Sequence, residues 1–341
     1  MKIGQPLKWR SIWMAVAIVM VVIFHSGLKS RLFLTGTLLR YGYGGVDIFM
    51  FASGIGCFAS YTRDRDFGRF LKKRAWRILP VYWFVLLLWM AQKVLLCKET
   101  LYPSQIVGNI FCVQDFTGNG NEFNWYISAI WLFYLLTPFF VLLTEWAAKG
   151  KKSRQALLLA VCLLFTVSFW NASVYIITIA RIPVFLLGMM TMQKAKEGAV
   201  ITKQQIAFSL VLMAAGCAGL SFSYRYLPGL LWYKGFYWYP FLLITPGLCL
   251  IISCCADRLD RFRAGHWILQ RLDSLGQVTL EIYISQITIY YGLRYLINNG
   301  TINESDLIWW LAVIAAVLSG ILLGIARKAA EKHITGFGGK K

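Results

Sequence analysis

The sequence predicts an all-α polytopic membrane bundle of about ten transmembrane helices with both termini cytoplasmic. Composition, the length of the apolar runs and the placement of Lys and Arg predict it. Of 341 residues, 58% are hydrophobic and only 15% charged, and the mean hydropathy is +0.59. A soluble domain of this length needs far more polar surface, whereas a bundle wrapped in lipid needs little.

Crossing ~30 Å of hydrocarbon takes about 20 apolar residues. Ten runs approach that length, at roughly 11–28, 44–62, 78–97, 123–145, 155–170, 173–192, 206–222, 237–256, 276–295 and 307–326. The first continues directly into the fold and has no small-residue cleavage pattern, so it reads as a mature helix and not as an export signal. The fifth and sixth are separated by little more than Trp170-Asn171-Ala172, so one of them is a candidate for a broken or re-entrant helix. Trp83, Trp125, Trp238 and the pair Trp309-Trp310 sit near run ends, where amphipathic rings suit the headgroup level.

With a cytoplasmic N-terminus, 26 of the 35 Lys and Arg residues fall on the inside and 8 on the outside, with Arg181 inside a span. That bias fixes the orientation by the positive-inside rule. The net charge of +20 then reflects topology and contact with anionic headgroups, and no nucleic-acid-binding motif accompanies it. Residues 1–330 read as one transmembrane domain and 331–341 as a short basic cytoplasmic tail. Six of the eight cysteines lie in or at the ends of apolar helices without metal-ligand spacing, and no metal site is expected. Cys97 and Cys112 fall in or beside one outside loop, where an oxidising compartment would allow a disulfide. That loop, about 98–122 and including Asn119-Gly120-Asn121-Glu122, is the natural lid or acceptor platform.

A few polar residues do not belong in lipid. His25 sits in Val21-Val22-Ile23-Phe24-His25-Ser26, about 22 Å from Arg10 at ~1.5 Å per residue. An imidazole there either is a satisfied interior group or takes a proton from a hydroxyl, since His titrates near neutral pH. Arg74 and Arg77, with Lys73 beside them, put two guanidinium forks on one helix face ahead of Pro80. Forks of this kind clamp phosphates, or contact lipid headgroups. Gly44-Gly45-Val46-Asp47 through Ser53-Gly54 supplies small residues for close packing and one carboxylate. Asp47 could orient His25, bind an acceptor hydroxyl or be a solvated acid. Arg181 and Glu281 lie within later spans, where a mutual ion pair is the simplest arrangement.

Together these motifs resemble the acyltransferase-3 family of multi-span membrane acyltransferases, which commonly O-acetylate surface polysaccharides. The resemblance rests on His25, Gly45-Val46-Asp47-Ile48-Phe49 through Ser53-Gly54, Arg74-x-x-Arg77-Ile78-Leu79-Pro80, and Trp125-Tyr126-Ile127-Ser128. Arg181-Ile182-Pro183 and Leu275-Gly276-Gln277-Val278-Thr279-Leu280-Glu281-Ile282-Tyr283 extend it. It implies a cytoplasmic acyl-CoA donor, commonly acetyl-CoA, held by Arg74, Arg77, Lys73 and Arg10, and an essential His25. Asp47, Glu281, Arg181, Trp125 and Ser53 would bind the acceptor or orient the histidine. The acceptor would be a glycan or lipid-linked saccharide, and the setting a bacterial cytoplasmic membrane. Two positions depart from the pattern: Met14 stands where the family usually has Arg or Lys, with Arg10 one turn earlier as a substitute, and Gln286 stands where a second histidine is common. A secondary transporter or glycan exporter, with Arg181, Glu281 and His25 along its path, is the alternative reading.

Overall fold

The computed structural model describes residues 1–29, 32–117, 125–150, 152–169, 173–228 and 235–338. Every regular element among them is helical, apart from one β-bridge between Lys2 and Val200. In chain order they are α1 (Gly4–Leu7), α2 (Arg10–His25), α3 (Phe33–Tyr41), α4 (Gly45–Arg63), α5 (Phe67–Ala91), α6 (Pro103–Ile110) and α7 (Trp125–Ala148). Then follow α8 (Lys152–Ser168), α9 (Ser173–Ile179), α10 (Ile182–Lys196), α11 (Lys203–Tyr226), α12 (Tyr239–Leu259), α13 (Arg263–Gly276), α14 (Thr279–Asn298) and α15 (Asp306–Gly338).

Seven of these segments are long and apolar enough to cross a membrane: Leu34–Arg63, Phe67–Leu96, Trp125–Ala148, Tyr175–Lys196, Lys203–Tyr226, Tyr239–Leu259 and Asp306–Lys332. The other three expected runs are helical as well. Arg10–His25 and Ser153–Ser168 are apolar but short, and α14 interrupts its apolar face with Glu281, Gln286 and Arg294. The sixth run is the broken one: α9 ends at Ile179, and α10 begins at Ile182 with Arg181 as its N-cap residue and Pro183 in its first turn. Pro fits a first turn because its missing N–H would have had no partner there. The Asn119–Glu122 segment and Trp170–Ala172 lie outside the described residues.

Local sequence sets the helix starts. Asp66 accepts from the Arg69 backbone N–H at 2.9 Å and caps α5. Thr202 and Gln205 form a reciprocal capping box at α11. α5 closes on a π-helical turn, Gln92–Leu96, in which Lys93 is buried. Its ammonium meets Glu99 at 2.9 Å, and Glu99 also accepts from the Tyr291 hydroxyl at 2.5 Å, which ties this end of α5 to α14.

Two close approaches hold the centre together. α4 and α10 run parallel in close contact, with Asp47 beside Arg181 near their starts and Thr62 bonded to Lys196 near their ends, so that a Cβ at Gly54 would run into the Phe185 carbonyl and one at Gly188 into the Phe51 carbonyl. Lipid tails are as apolar as Leu, so helix association here draws on backbone proximity and close packing. At the Arg10 end of α2, Gly276 lies against the Ser11 carbonyl, and the Ser11 hydroxyl donates to Asp273. The amphipathic α13 therefore docks on the start of α2 and sets where α14 begins. α14 runs parallel to α2, while α4 runs antiparallel to it, with Gly45 packed on Ala17 and Val21 and Gly56 beside Arg10.

Both glycines of the α4–α10 crossing face backbone, which cannot move aside as a flexible side chain can. Gly54→Ala and Gly188→Ala are each expected to destabilise the bundle by about 1–3 kcal/mol. Unfolding midpoints in detergent or nanodiscs measure this; a midpoint unchanged in both variants would mean that the crossing is not close-packed.

Candidate functional site

The two ends of α2 hold the residues expected to bind the donor and to act as base. At its Arg10 end a cavity of about 100 Å³ opens between α2, α4, α5, α7 and α14. Arg10, Arg74 and Arg77 line its mouth, with Met14 behind them and Ser53, Tyr126 and Tyr283 further in. Gly56 makes the convergence possible. A Cβ there would stand 2.7 Å from Arg10 Nη1, while the bare Gly56 carbonyl accepts from Arg74 Nη2 at 3.2 Å. The Arg74 guanidinium also lies over the rings of Phe70 and Tyr134, at 5.3 and 5.2 Å. Three cations meet here, and no Asp or Glu is among the described lining residues.

Arg10 therefore stands with the arginine pair although Met14 occupies the position one turn further along the helix. Lys73 is exposed and lines no cavity described here. Arg69, at the same end of α5, is engaged by Asp64 and Asp66 at 3.2 and 2.8 Å. A wider concavity of about 670 Å³ opens on the other side of Arg10, with Lys8, Ser11 and Lys196 in its wall.

His25 closes the far end of α2, half-buried. Three residues on one face of α14 hold it. Tyr290 donates its hydroxyl to the Val22 carbonyl at 3.1 Å, Arg294 Nη2 donates to the His25 carbonyl at 2.6 Å, and the Gln286 amide meets the imidazole Nδ1 at 3.0 Å. Carbonyls in the last turn of a helix have no intrahelical donor, and two of these contacts supply one. His25 does not line the arginine cavity. Tyr283, at that cavity's inner end, precedes Gln286 by three residues on α14, a rise of ~4.5 Å.

The remaining expected site residues divide into two groups. Ser53 lies against the Tyr126 hydroxyl inside the arginine cavity. Asp47 and Arg181 form a fully buried pair, with Nε and Oδ1 3.8 Å apart. The guanidinium is sandwiched between Trp125 and Trp238, its Cζ 4.9 and 4.7 Å from the ring centroids, and it donates to the Ile177 carbonyl at 2.5 Å. The last contact serves the end of α9 at the helix break.

An Arg181–Glu281 pair is not formed. Glu281 instead accepts from Arg327 Nε at 2.6 Å, because α15 packs antiparallel along α14 and brings Arg327 level with α14's start. Nor does either acid serve the histidine: Asp47 is engaged by Arg181 and Glu281 by Arg327, and the partner of the ring is Gln286. Cys97 and Cys112 are both free thiols, the first beside Tyr291 and the second beside Tyr82, so no bridge joins them.

Asp115 is a buried acid that its sequence position gave little reason to select. It stands in a 3₁₀ turn, Gln114–Phe116, within the loop expected to face the acceptor. The turn is held by the Tyr175 hydroxyl, which donates to the Phe116 carbonyl at 3.2 Å, and by stacking of Phe116 on Tyr175. Asp115 lies near Ser128 and Tyr283, and burial pushes its carboxyl up to about 7 while Ser128 pulls the other way. The only signal in sequence was a lone acid in an otherwise apolar stretch of loop.

Because the folded-state value lies above the ordinary 3.8, the folded chain keeps a proton that the unfolded chain has released. Stability contributed by this group is present below about 4 and is lost as pH rises toward 7. Asp115→Asn removes the dependence, so its unfolding midpoint is expected to gain on wild type across that window and to hold the gain above it. Parallel midpoint curves for the two proteins would contradict the assignment.

Comparison with known proteins adds one finding. A family model described as an acyltransferase domain matches residues 14–326. No curated protein and no solved structure matches the chain.

Proposed function

The chain belongs to the acyltransferase-3 family, and from that membership we propose that it is a membrane O-acyltransferase. It moves an acyl group, acetyl by default, from cytoplasmic acyl-CoA to a hydroxyl of an extracytoplasmic or lipid-linked glycan. The bacterial cytoplasmic membrane is the setting, with ten spans and both termini inside, in line with the distribution of Lys and Arg.

The observation that carries the donor assignment is the cavity of Arg10, Arg74 and Arg77 without a carboxylate. Guanidinium groups repel one another unless an anion joins them, and their forks match phosphate oxygens two at a time. A volume of about 100 Å³ suits a narrow arm and not a nucleotide, since sites for drug-sized ligands run about 300–1,000 Å³. The nucleotide would lie outside, where the concavity lined by Lys8, Arg10 and Lys196 measures about 670 Å³. The thioester arm would then follow α14 past Tyr283 toward His25, a path that requires the last turn between them to open.

At His25 the acceptor hydroxyl gives its proton to the imidazole, and its oxygen attacks the thioester carbonyl. The new C–O bond forms as the C–S bond breaks, and the leaving thiolate takes the proton from the imidazolium. Asp47 and Arg181 support this site by fixing the helix break and Trp125 near the acceptor side. The transporter reading needs Arg181, Glu281 and His25 on one path. Their separate partners, Asp47, Arg327 and Gln286, argue against it.

Thiol release from acetyl-CoA by the protein in lipid nanodiscs, with candidate glycans supplied, tests the reading. His25→Ala is expected to lower kcat by about 10²–10⁴. Arg74→Ala and Arg77→Ala are each expected to raise the KM for acetyl-CoA by about tenfold or more, the loss of a charge-assisted bond of roughly 1.5–3 kcal/mol. Release that survives His25→Ala, or none from wild type, would sink it.

A further inference from the structure

Gln286 is fully buried on α14, and its amide nitrogen meets His25 Nδ1 at 3.0 Å. Its Oε1 is buried with no hydrogen-bond partner among the described residues. A buried polar atom left without a partner costs about 1–3 kcal/mol, so its retention beside a catalytic candidate calls for a reason. The other two α14 contacts, from Tyr290 and Arg294, reach backbone carbonyls of α2 and fix where the helix end lies. Of these three, and among the described residues, only Gln286 hydrogen-bonds the ring. Phe24 packs near it at 5.2 Å between centroids and offers no hydrogen bond.

A neutral imidazole carries one proton on two nitrogens, and whichever nitrogen bonds its neighbour decides what the other can do. With the Gln286 N–H on Nδ1, that nitrogen is the acceptor and Nε2 carries the proton. Such a ring cannot take a proton at Nε2. Turning the amide by 180° puts Oε1 opposite Nδ1, makes Nδ1 the protonated nitrogen and leaves the amide N–H groups in the buried place that Oε1 had. The Nε2 lone pair is then free, and no described side chain competes for it.

We propose that Gln286 is the positioning residue of His25, its amide oxygen accepting the Nδ1 proton so that Nε2 is held as the base toward the acceptor hydroxyl. Proton transfer from the hydroxyl to Nε2 gives an imidazolium whose Nδ1–H bond to Gln286 is unchanged. The proton on Nε2 passes on to the departing thiolate, and the ring returns to its starting tautomer without the amide turning. A neutral amide orients the ring but, unlike a carboxylate, adds no net negative charge to hold the imidazolium. This chain therefore keeps tautomer control with no buried acid at the histidine among the described residues.

The inference rests on the acyl-transfer reading for its kinetic arm alone. The chain has three histidines, so His266→Ala with His333→Ala leaves His25 as the single nitrogen-15 histidine signal in nanodiscs. Wild-type ring in that background is expected to show the lone pair on Nε2 and the proton on Nδ1, and Gln286→Met is expected to lose that preference. A lone pair on Nδ1 in the Gln286 protein, or the same tautomer in both, overturns the proposal whether or not the protein transfers acyl groups. In the thiol-release assay Gln286→Met is expected to lower kcat about 10²-fold with the acetyl-CoA KM unchanged. Gln286→Glu, which when ionised can only accept, is expected to stay within about tenfold of wild type. Equal losses in both variants would reduce Gln286 to a packing residue. Absent release from wild type would count against the acyl-transfer reading and leave the tautomer measurement to decide this one.

Discussion

A peptide group in hydrocarbon must find its hydrogen bond inside the protein, and the rest of this structure follows from where that condition is hard to meet. Uninterrupted helices meet it locally and carry little polar chemistry on their lipid faces. Helix ends inside the bundle cannot, and side chains reach in to serve them. α2 stops at His25, where Arg294 and Tyr290 take its free carbonyls. The sixth run breaks at Arg181, whose guanidinium takes the Ile177 carbonyl while Asp47 balances its charge. The polar residues that mark the candidate site are thus concentrated at interruptions in the helices. An interruption creates both the need for a polar group and the space for one.

Charge follows a similar logic. Burying an unpaired ion costs far more than a missed hydrogen bond, so buried charges are found with partners. Asp47 with Arg181, Glu281 with Arg327 and Lys93 with Glu99 obey this, and the first ties together two elements far apart in sequence. Arg10, Arg74 and Arg77 break the pattern by meeting one another around a cavity. Their exception is tolerable at the end of the bundle, where water and an anionic ligand can reach them. The contrast between three pairs of opposite charge and one cluster of like charge separates structural charges from the donor-site candidates.

Glycine makes both arrangements possible. Gly54 and Gly188 let α4 and α10 cross with backbone in contact, which places Arg181 beside Asp47. Gly56, two residues further along α4, turns to the opposite side and leaves room for Arg10 while offering its carbonyl to Arg74. One short segment thus presents a packing surface to α10 and a binding surface to α2 and α5.

The sequence by itself determined the helical class, the apolar runs and that the fifth or the sixth was broken, and it pointed to Arg74 and Arg77 with Lys73, and through the family resemblance to Arg10. These depend on hydrophobic length and on residues within a few turns of one another, or on charges that all must gather at one end of the bundle. It also singled out His25, because an imidazole in an apolar run stands out without any partner being known. Only the tertiary structure decided which partner each buried group takes. Arg181 pairs with Asp47 and Glu281 with Arg327, and Gln286, read in sequence as a lost histidine, became the contact of the ring. Those pairings depend on the rotation of one helix against another, which glycine contacts and docked amphipathic segments set between residues from 46 to 261 positions apart. Hydropathy along the chain carries no record of that rotation.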